Sequence, residues 1–330
     1  MQAMTERRTA MSTWLNSVLQ NVEPTIESAS SDASFRSYWR VYAQGQSYVL
    51  MDAPPRQEEV GRFVRLARQL REIGLNVPEI YAQSIEAGFL LMSDLGSRQY
   101  LSQLTQRSVE RLYGDALGAL VTLQAFGPTQ GLPIYDAHFL RRELEIFLEW
   151  LLGRHLEMTL DSTETSMLDA TFSRLIDSAL EQPQVCVHRD FHSRNLMVTG
   201  PPSPGILDFQ DAVVGPVTYD LVSLLRDCYI AWPDDQVREW SNGYFDLAAQ
   251  SGILRPGHEE RFRTWFDLMG VQRHLKAAGI FARLKHRDGK PGYLADIPRT
   301  LSYVISVARC YPELTEFGAF IENRVYAALH

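Results

Sequence analysis

Lysine is almost absent from this 330-residue sequence, since Lys276, Lys285 and Lys290 are the only three. Nearly all basic side chains are therefore arginines, and the net charge is −8. A negative balance argues against the broad cationic surface that contacts nucleic-acid phosphates. We expect no nucleic-acid partner.

Cysteine is scarce as well. Cys186, Cys228 and Cys310 are far apart and odd in number, which argues against a disulfide framework and predicts reduced thiols in a cytoplasmic protein. No apolar run approaches the roughly 18 residues of a membrane span, and the N-terminal segment lacks the apolar core of a signal peptide. We expect a cytoplasmic monomer with no membrane partner.

The first hundred residues contain short β-rich runs around one amphipathic helix. Apolar residues recur at helical spacing within 57–73, and Gly74 ends that helix. The runs 38–43 and 47–51 flank a predicted hairpin turn at 44–46, and two further strands are predicted at 79–82 and 88–92.

After Gly96 the sequence changes to long amphipathic helices. Three are predicted at 107–126, 137–154 and 166–181, and one β-rich segment, 184–208, interrupts the helical part. The pattern predicts an α+β, two-lobed protein with a small β-rich N-lobe (1–94) and a larger, mainly helical C-lobe (95–330).

The β-rich segment carries the polar residues that indicate a function. His188 to Asn195 has the form H-x-D-x-x-x-x-N, and Asp208 follows on the next β-run. Two oxygen donors such as Asn195 and Asp208 can share Mg²⁺, and a third group, Asp190, can accept a proton from an attacking hydroxyl. Phosphoryl transfer requires these roles, and the order of the residues is that of the kinase catalytic loop.

With these motifs the sequence resembles the aminoglycoside phosphotransferase and choline kinase-like superfamily over nearly its whole length. The resemblance implies a protein-kinase-like fold, ATP as co-substrate, Mg²⁺ at Asn195 and Asp208, and Asp190 as catalytic base. Residues 90–96 look like the family's inter-lobe hinge, which implies nucleotide contacts at Met92, Ser93 and Asp94. By the same resemblance, His188 supports the catalytic loop and Asp220, in the stretch 215–221, braces it.

Further segments are similar to bacterial kinases that phosphorylate amino sugars at the anomeric carbon. These segments are 31–40, 48–55, 206–212, 272–276, 279–284 and 287–290. This likeness implies transfer of the γ-phosphoryl group of ATP to the C1 hydroxyl of N-acetylmuramate or N-acetylglucosamine, in peptidoglycan recycling. An anomeric hydroxyl is more acidic than an ordinary alcohol, so a carboxylate base suffices.

The phosphate-binding part of the N-lobe departs from the family pattern. The stretch 28–37 has no glycine, so its hydroxyl groups, with Ser31 and Ser34 among them, are the candidates for phosphate contact. Met51 stands where the family has a lysine, which leaves Arg36 or Arg40 to supply positive charge, unless Mg²⁺ and backbone donors suffice. A surface turn at 28–37 is the alternative.

Substrate-binding residues are harder to assign. Asp211 can contact the metal or the sugar, or cap the next helix. Arg273 and Arg283 belong to a basic cluster with His274 and Lys276. A sugar that carries a carboxylate favours one buried arginine here, whereas a solvent-facing basic stripe is the alternative for each of these residues.

Two other functions remain open. A kinase of the same fold for a cationic acceptor, such as an aminoglycoside or choline, would need several carboxylates in its acceptor pocket, and the basic cluster argues against it. A nucleotide-binding pseudokinase would explain Met51 and the glycine-free loop, but Asp190, Asn195 and Asp208 are all present.

Overall fold

The computed structural model describes residues 2–20, 23–30, 36–55 and 59–329. The chain divides into two compact units. Unit 1 comprises Met1–Arg98 and Leu196–Gln210, and unit 2 comprises Gln99–Asn195 and Asp211–His330. The predicted α+β class, with a small β-rich part and a larger helical part, is confirmed. The lobe boundary at residue 94 stays a prediction.

Unit 1 is built on a five-stranded antiparallel sheet with the strand order β1-β2-β3-β5-β4. Its strands are β1 (Thr25–Ser30), β2 (Ser37–Ala43), β3 (Gln46–Asp52), β4 (Ile80–Ser84) and β5 (Phe89–Ser93). Ala43 pairs with Gln46, so Gln44 and Gly45 form a two-residue turn, and both have positive φ (53° and 74°). Such a turn matches the twist of the strands that it joins, and this explains the predicted hairpin.

Helix α1 (Gln2–Val18) covers part of this sheet. Met11, Leu15 and Leu19 recur every four residues along the chain, and they pack with Val41 and Leu50 of the sheet in one apolar cluster. Burial of this stripe against the strands stabilises a helix whose sequence is otherwise polar.

Helix α2 (Val60–Glu72) and the hairpin of β7 (Leu196–Met197) and β8 (Gly205–Ile206) complete unit 1. The hairpin is joined to the loop before β4, since Ile206 N donates to Asn76 O (2.8 Å) and Asn76 Nδ2 donates to Pro202 O (2.8 Å). The Phe63 and Phe209 rings pack with their centroids 4.8 Å apart.

Unit 2 is mainly helical, with one short antiparallel pair of strands. The strands are β6 (Gln184–Val187) and β9 (Val213–Pro216). The helices are α3 (Tyr100–Gln103), α4 (Val109–Phe126), α5 (Ala137–Ile146), α6 (Ser162–Leu180), α7 (Tyr219–Leu225), α8 (Asp234–Gln250), α9 (Glu259–His286), α10 (Ile297–Ala308) and α11 (Thr315–Phe320). Helix α5 continues as a π-helical segment, Phe147–His155, and shorter 3-10 and π segments lie among the C-terminal helices. In the part of the chain that the structure describes, no helix combines the length and the apolarity that a membrane crossing needs.

Helix α9 is the central element of unit 2, and most of its residues are buried. It crosses the end of α5 closely at Gly279. A Cβ atom at this position would lie 2.7 Å from the backbone of Ile146 and Phe147, so only glycine permits the contact. Two polar residues of this helix, Arg273 and Lys276, line one cavity together with Asp190 of the segment that follows β6.

Candidate active site

The segment His188–Asn195, here called the catalytic loop, starts directly after the buried strand β6. Its first residues are held by Asp220 of α7, whose carboxylate accepts hydrogen bonds from His188 N (2.6 Å) and Arg189 N (2.9 Å). Arg189 has a φ of 79°, a left-handed conformation that side chains other than glycine rarely adopt. The two hydrogen bonds to Asp220 stabilise this strained backbone conformation, which sets the position of the next residue, Asp190.

Further hydrogen bonds fix Asp190 within the loop. Its backbone N–H donates to His188 Nδ1 (3.2 Å), and its carbonyl accepts from His192 N (3.0 Å) and from Asn195 Nδ2 (3.0 Å). Since the Asn195 amide donates through Nδ2, the orientation of its Oδ1 acceptor is defined as well. The structure thus brings Asp190 and Asn195 together, with His188 as a support.

The Asp190 side chain lines a partly open cavity of unit 2. The same cavity is lined by His192, Tyr219, Tyr229, Arg273 and Lys276. Burial alone would raise the pKa of Asp190, but the positive charge of Lys276, with a smaller contribution from Arg189, lowers it. A carboxylate held ionised at the wall of a cavity is suited to accept a proton from a bound hydroxyl group.

A buried carboxylate, Glu143 of α5, organises the cations beside this cavity. Lys276 Nζ lies 2.9 Å from Glu143 Oε1 and 2.8 Å from the Tyr219 hydroxyl, to which it donates. Arg189 pairs with the same Oε1, and the Tyr135 hydroxyl donates to Oε2. Glu143 and Lys276 are 4% and 7% exposed, so this is an interior cluster, not a surface ion pair. No sequence motif pointed to Glu143.

The basic stretch of α9 is buried, which overturns the solvent-facing alternative for three of its members. Arg273, His274 and Lys276 are at most 7% exposed, and Arg273 and Lys276 line the cavity. Arg283, the other predicted arginine, is half-buried and is not among the residues that line it. Asp211 is exposed, and its backbone carbonyl lies 3.5 Å from Arg189 NH1.

Asp208 belongs to unit 1, whereas Asp190 and Asn195 belong to unit 2. It is exposed, has a φ of 63°, and accepts a hydrogen bond from Gln210 Nε2 (2.7 Å). Carboxylate and amide oxygens such as those of Asp208 and Asn195 fit Mg²⁺, which takes few protein ligands and completes its coordination with water and phosphate. The Mg²⁺ assignment stays a prediction from the motif.

The predicted nucleotide residues are only partly described. Ser31 and Ser34 lie outside the described residues, and Arg36 is half-buried just before β2. Met92 is a buried residue of β5, and Ser93 is tied to Glu79 through Ser93 N–Glu79 O (2.8 Å) and Glu79 N–Ser93 Oγ (2.9 Å).

Asp94, in the turn after β5, forms an ion pair with Arg40 of β2. Arg40 Nε donates to Asp94 Oδ2 (2.7 Å), and the Asp94 carboxylate also accepts from Gly96 N (2.9 Å). Arg40 therefore has a structural role in unit 1. Met51 is 1% exposed in the sheet and behaves as a core residue.

Asp220 gives a testable pH dependence of stability. Burial raises its pKa from 3.8 to about 6. A carboxyl whose pKa is raised by folding favours the native state below its unfolded pKa, and that contribution is lost as the pH rises through the folded pKa. We therefore expect the unfolding free energy of the wild type, relative to that of Asp220→Asn, to decrease by about 1 kcal/mol between pH 5 and pH 7.

Urea denaturation of both proteins across this range measures that difference. A gap between the two unfolding free energies that is independent of pH would show that Asp220 stays ionised throughout.

Comparison with known proteins shows which family the chain belongs to. Residues 25–260 match the model of the phosphotransferase enzyme family. A Pseudomonas putida protein named N-acetylmuramate/N-acetylglucosamine kinase is 47% identical over 90% of this chain and 87% of its own length.

Solved structures with low sequence identity share the fold. A choline kinase from Streptococcus pneumoniae superposes with a TM-score of 0.64 at 14% identity, over 91% of this chain and 99% of that one. An ADP-bound aminoglycoside phosphotransferase gives a TM-score of 0.62 at 16% identity, over 89% and 97% of the two chains. The protein-kinase-like fold and the resemblance predicted from the catalytic loop are confirmed. The chain belongs to the phosphotransferase enzyme family.

Proposed function

We propose that this phosphotransferase is an ATP-dependent kinase that phosphorylates the anomeric C1 hydroxyl of N-acetylmuramate and N-acetylglucosamine. One observation carries the proposal: the Asp190 carboxylate lines a cavity whose other polar groups are two cations, two phenols, a histidine and a cysteine thiol. The name of the relative that is 47% identical supplies the identity of the sugars.

The lining of the cavity suits a sugar acceptor. The rings of Tyr229 and Phe281 offer apolar surface to a pyranose, and their centroids lie 6.0 Å apart. His192 Nδ1 is buried without a hydrogen-bond partner within the described chain, and burial lowers the pKa of this imidazole. A neutral imidazole with an unused nitrogen is suited to bond a sugar hydroxyl.

The charges at the cavity argue against a cationic acceptor. Asp190 is the one carboxylate among the described residues that line it, whereas Arg273 and Lys276 are both positive. Choline or an aminoglycoside would meet two cations for each carboxylate, and like charges in a desolvated site repel strongly.

In the proposed reaction the O1–H proton of the sugar passes to the Asp190 carboxylate as O1 attacks the γ-phosphorus of ATP and ADP leaves. Lys276 and Arg189 keep the base ionised before the transfer. Asn195 and Asp208 would hold Mg²⁺, which supplies charge neutralisation to the phosphates when bound. We place this reaction in peptidoglycan recycling in the cytoplasm, where ATP is present.

The test is turnover of Mg·ATP with a panel of acceptors: N-acetylmuramate, N-acetylglucosamine, kanamycin and choline. We expect ADP release with the two amino sugars only, and a sugar 1-phosphate by ³¹P NMR. The methyl glycoside of N-acetylglucosamine, whose C1 oxygen is blocked, is the matched control and should give no product. Turnover with kanamycin or choline alone would replace the proposal by the cationic alternative. The absence of turnover with every acceptor of the panel would favour a nucleotide-binding pseudokinase.

A further inference from the structure

Arg273 is a buried cation, and no anionic group of the described chain is paired with it. Its side chain lines the cavity beside Asp190, and it is 5% exposed. Within the described residues no carboxylate lies within ion-pair distance of it. Its Nε atom has no hydrogen-bond partner, and NH1 makes a weak contact with Cys228 Sγ (3.5 Å).

Nearby groups do not compensate this charge. Burial raises the pKa of the Cys228 thiol, so the sulfur is neutral. Asp190 and Asp227 act on Arg273 electrostatically from a greater distance. The Asp227 carboxylate already accepts hydrogen bonds from Ser193 N and Tyr229 N, both at 2.9 Å.

The other buried cations of this region are paired. Lys276 and Arg189 share Glu143, and Arg226 lies 2.7 Å from Asp267. Burying a charge without a partner is costly, so an isolated guanidinium on a cavity wall indicates that an anionic ligand completes the site. Guanidinium groups match carboxylates in geometry as well as in charge.

We propose that Arg273 binds the lactyl carboxylate of N-acetylmuramate and so determines the preference for this sugar over N-acetylglucosamine. The inference rests on the proposed function, because it takes the two sugars as acceptors at this cavity. The lactyl ether is attached at C3, on the same ring as the reacting C1, so one cavity accommodates both the base and the carboxylate site. N-acetylglucosamine lacks the carboxylate and leaves Arg273 unpaired.

The test compares specificity constants, not single rates. For the wild type and Arg273→Met, kcat/KM is measured with N-acetylmuramate, its methyl ester and N-acetylglucosamine. We expect the ratio of kcat/KM for N-acetylmuramate to that for N-acetylglucosamine to fall about 10- to 100-fold in Arg273→Met. In the wild type, kcat/KM for the neutral methyl ester should be lower than kcat/KM for N-acetylmuramate by a similar factor. In Arg273→Met the two compounds should have about equal values of kcat/KM.

The neutral ester keeps the inference testable if Arg273→Met fails to fold, since it requires only the wild-type protein. Arg263→Gln, at a 71% exposed arginine of the same helix, is the matched control and should not change the ratio. If kcat/KM of Arg273→Met fell equally with both sugars, the inference would be overturned and Arg273 would be assigned to the transferred phosphoryl group. If Arg283→Gln, and not Arg273→Met, lowered kcat/KM for N-acetylmuramate alone, the lactyl carboxylate would be placed at Arg283. If the wild type phosphorylates neither sugar, it is the proposed function that fails.

Discussion

Asp190→Asn is expected to lower kcat about 10²- to 10⁴-fold, the range that general-base catalysis supplies. The amide cannot accept the proton of the sugar O1–H, while the hydrogen bonds that fix residue 190 run through its backbone and are retained. Because the base acts on the acceptor hydroxyl, the affinity for ATP should stay within about threefold of the wild type.

Steady-state kinetics with saturating N-acetylglucosamine, together with ATP binding by calorimetry, measure the two effects separately. Asp246→Asn, at an exposed aspartate of α8, is the control for the same chemical change. Asp208→Asn should differ from Asp190→Asn by weakening Mg·ATP binding as well as the rate. If Asp190→Asn retained near-normal turnover, the base would have to be another group.

Glu143→Gln should lower the free energy of unfolding by about 3–5 kcal/mol, since it leaves two buried cations without their carboxylate. Lys276 and Arg189 both pair with Glu143, and all three side chains are less than one-fifth exposed. The pKa of Glu143 is lowered by these cations against the effect of burial, which is the signature of an ion pair that favours the charged form.

Urea denaturation of Glu143→Gln and Glu145→Gln provides a matched comparison. Glu145 lies on the same helix and pairs with Arg141 at the surface, so its loss should cost less than about 0.5 kcal/mol. In the double variant Glu143→Gln/Lys276→Met, part of the lost stability should return because one unpaired cation is removed as well. Equal destabilisation by the two glutamate variants would show that the Glu143 cluster contributes no more than a surface pair.

Local signals in the sequence were enough to predict most of the secondary structure. The turn at Gln44 and Gly45 specifies the β2–β3 hairpin, and the apolar spacing in 57–73 predicts α2. Helix α1 and strand β1 were not predicted. Their sequences are largely polar, and what stabilises α1 is the contact of Met11 and Leu15 with residues distant in the chain. Contacts of this kind are not visible in a local pattern.

The candidate site was predictable only where its residues follow one another in a motif. Asp190, Asn195 and Asp220 are found through the catalytic loop and the segment after it. Glu143 is separated from Lys276 by 133 residues along the chain and carries no motif, so only the tertiary structure reveals the pair. The sequence left a solvent-facing basic stripe open for Arg273 and Lys276. Helix α9 is buried on all its faces, so the spacing of its residues does not distinguish a buried face from an exposed one.

Unit 1 is discontinuous in the chain, because the hairpin 196–210 belongs to it although the first part ends at Arg98. During translation the N-terminal sheet leaves the ribosome long before the segment that bonds to Asn76 has been made. Domains usually fold as they are synthesised, N-terminal part first. Unit 1 can therefore be completed only after residues 196–210 have been synthesised, and a fragment ending at residue 98 would lack the hairpin that bonds to Asn76.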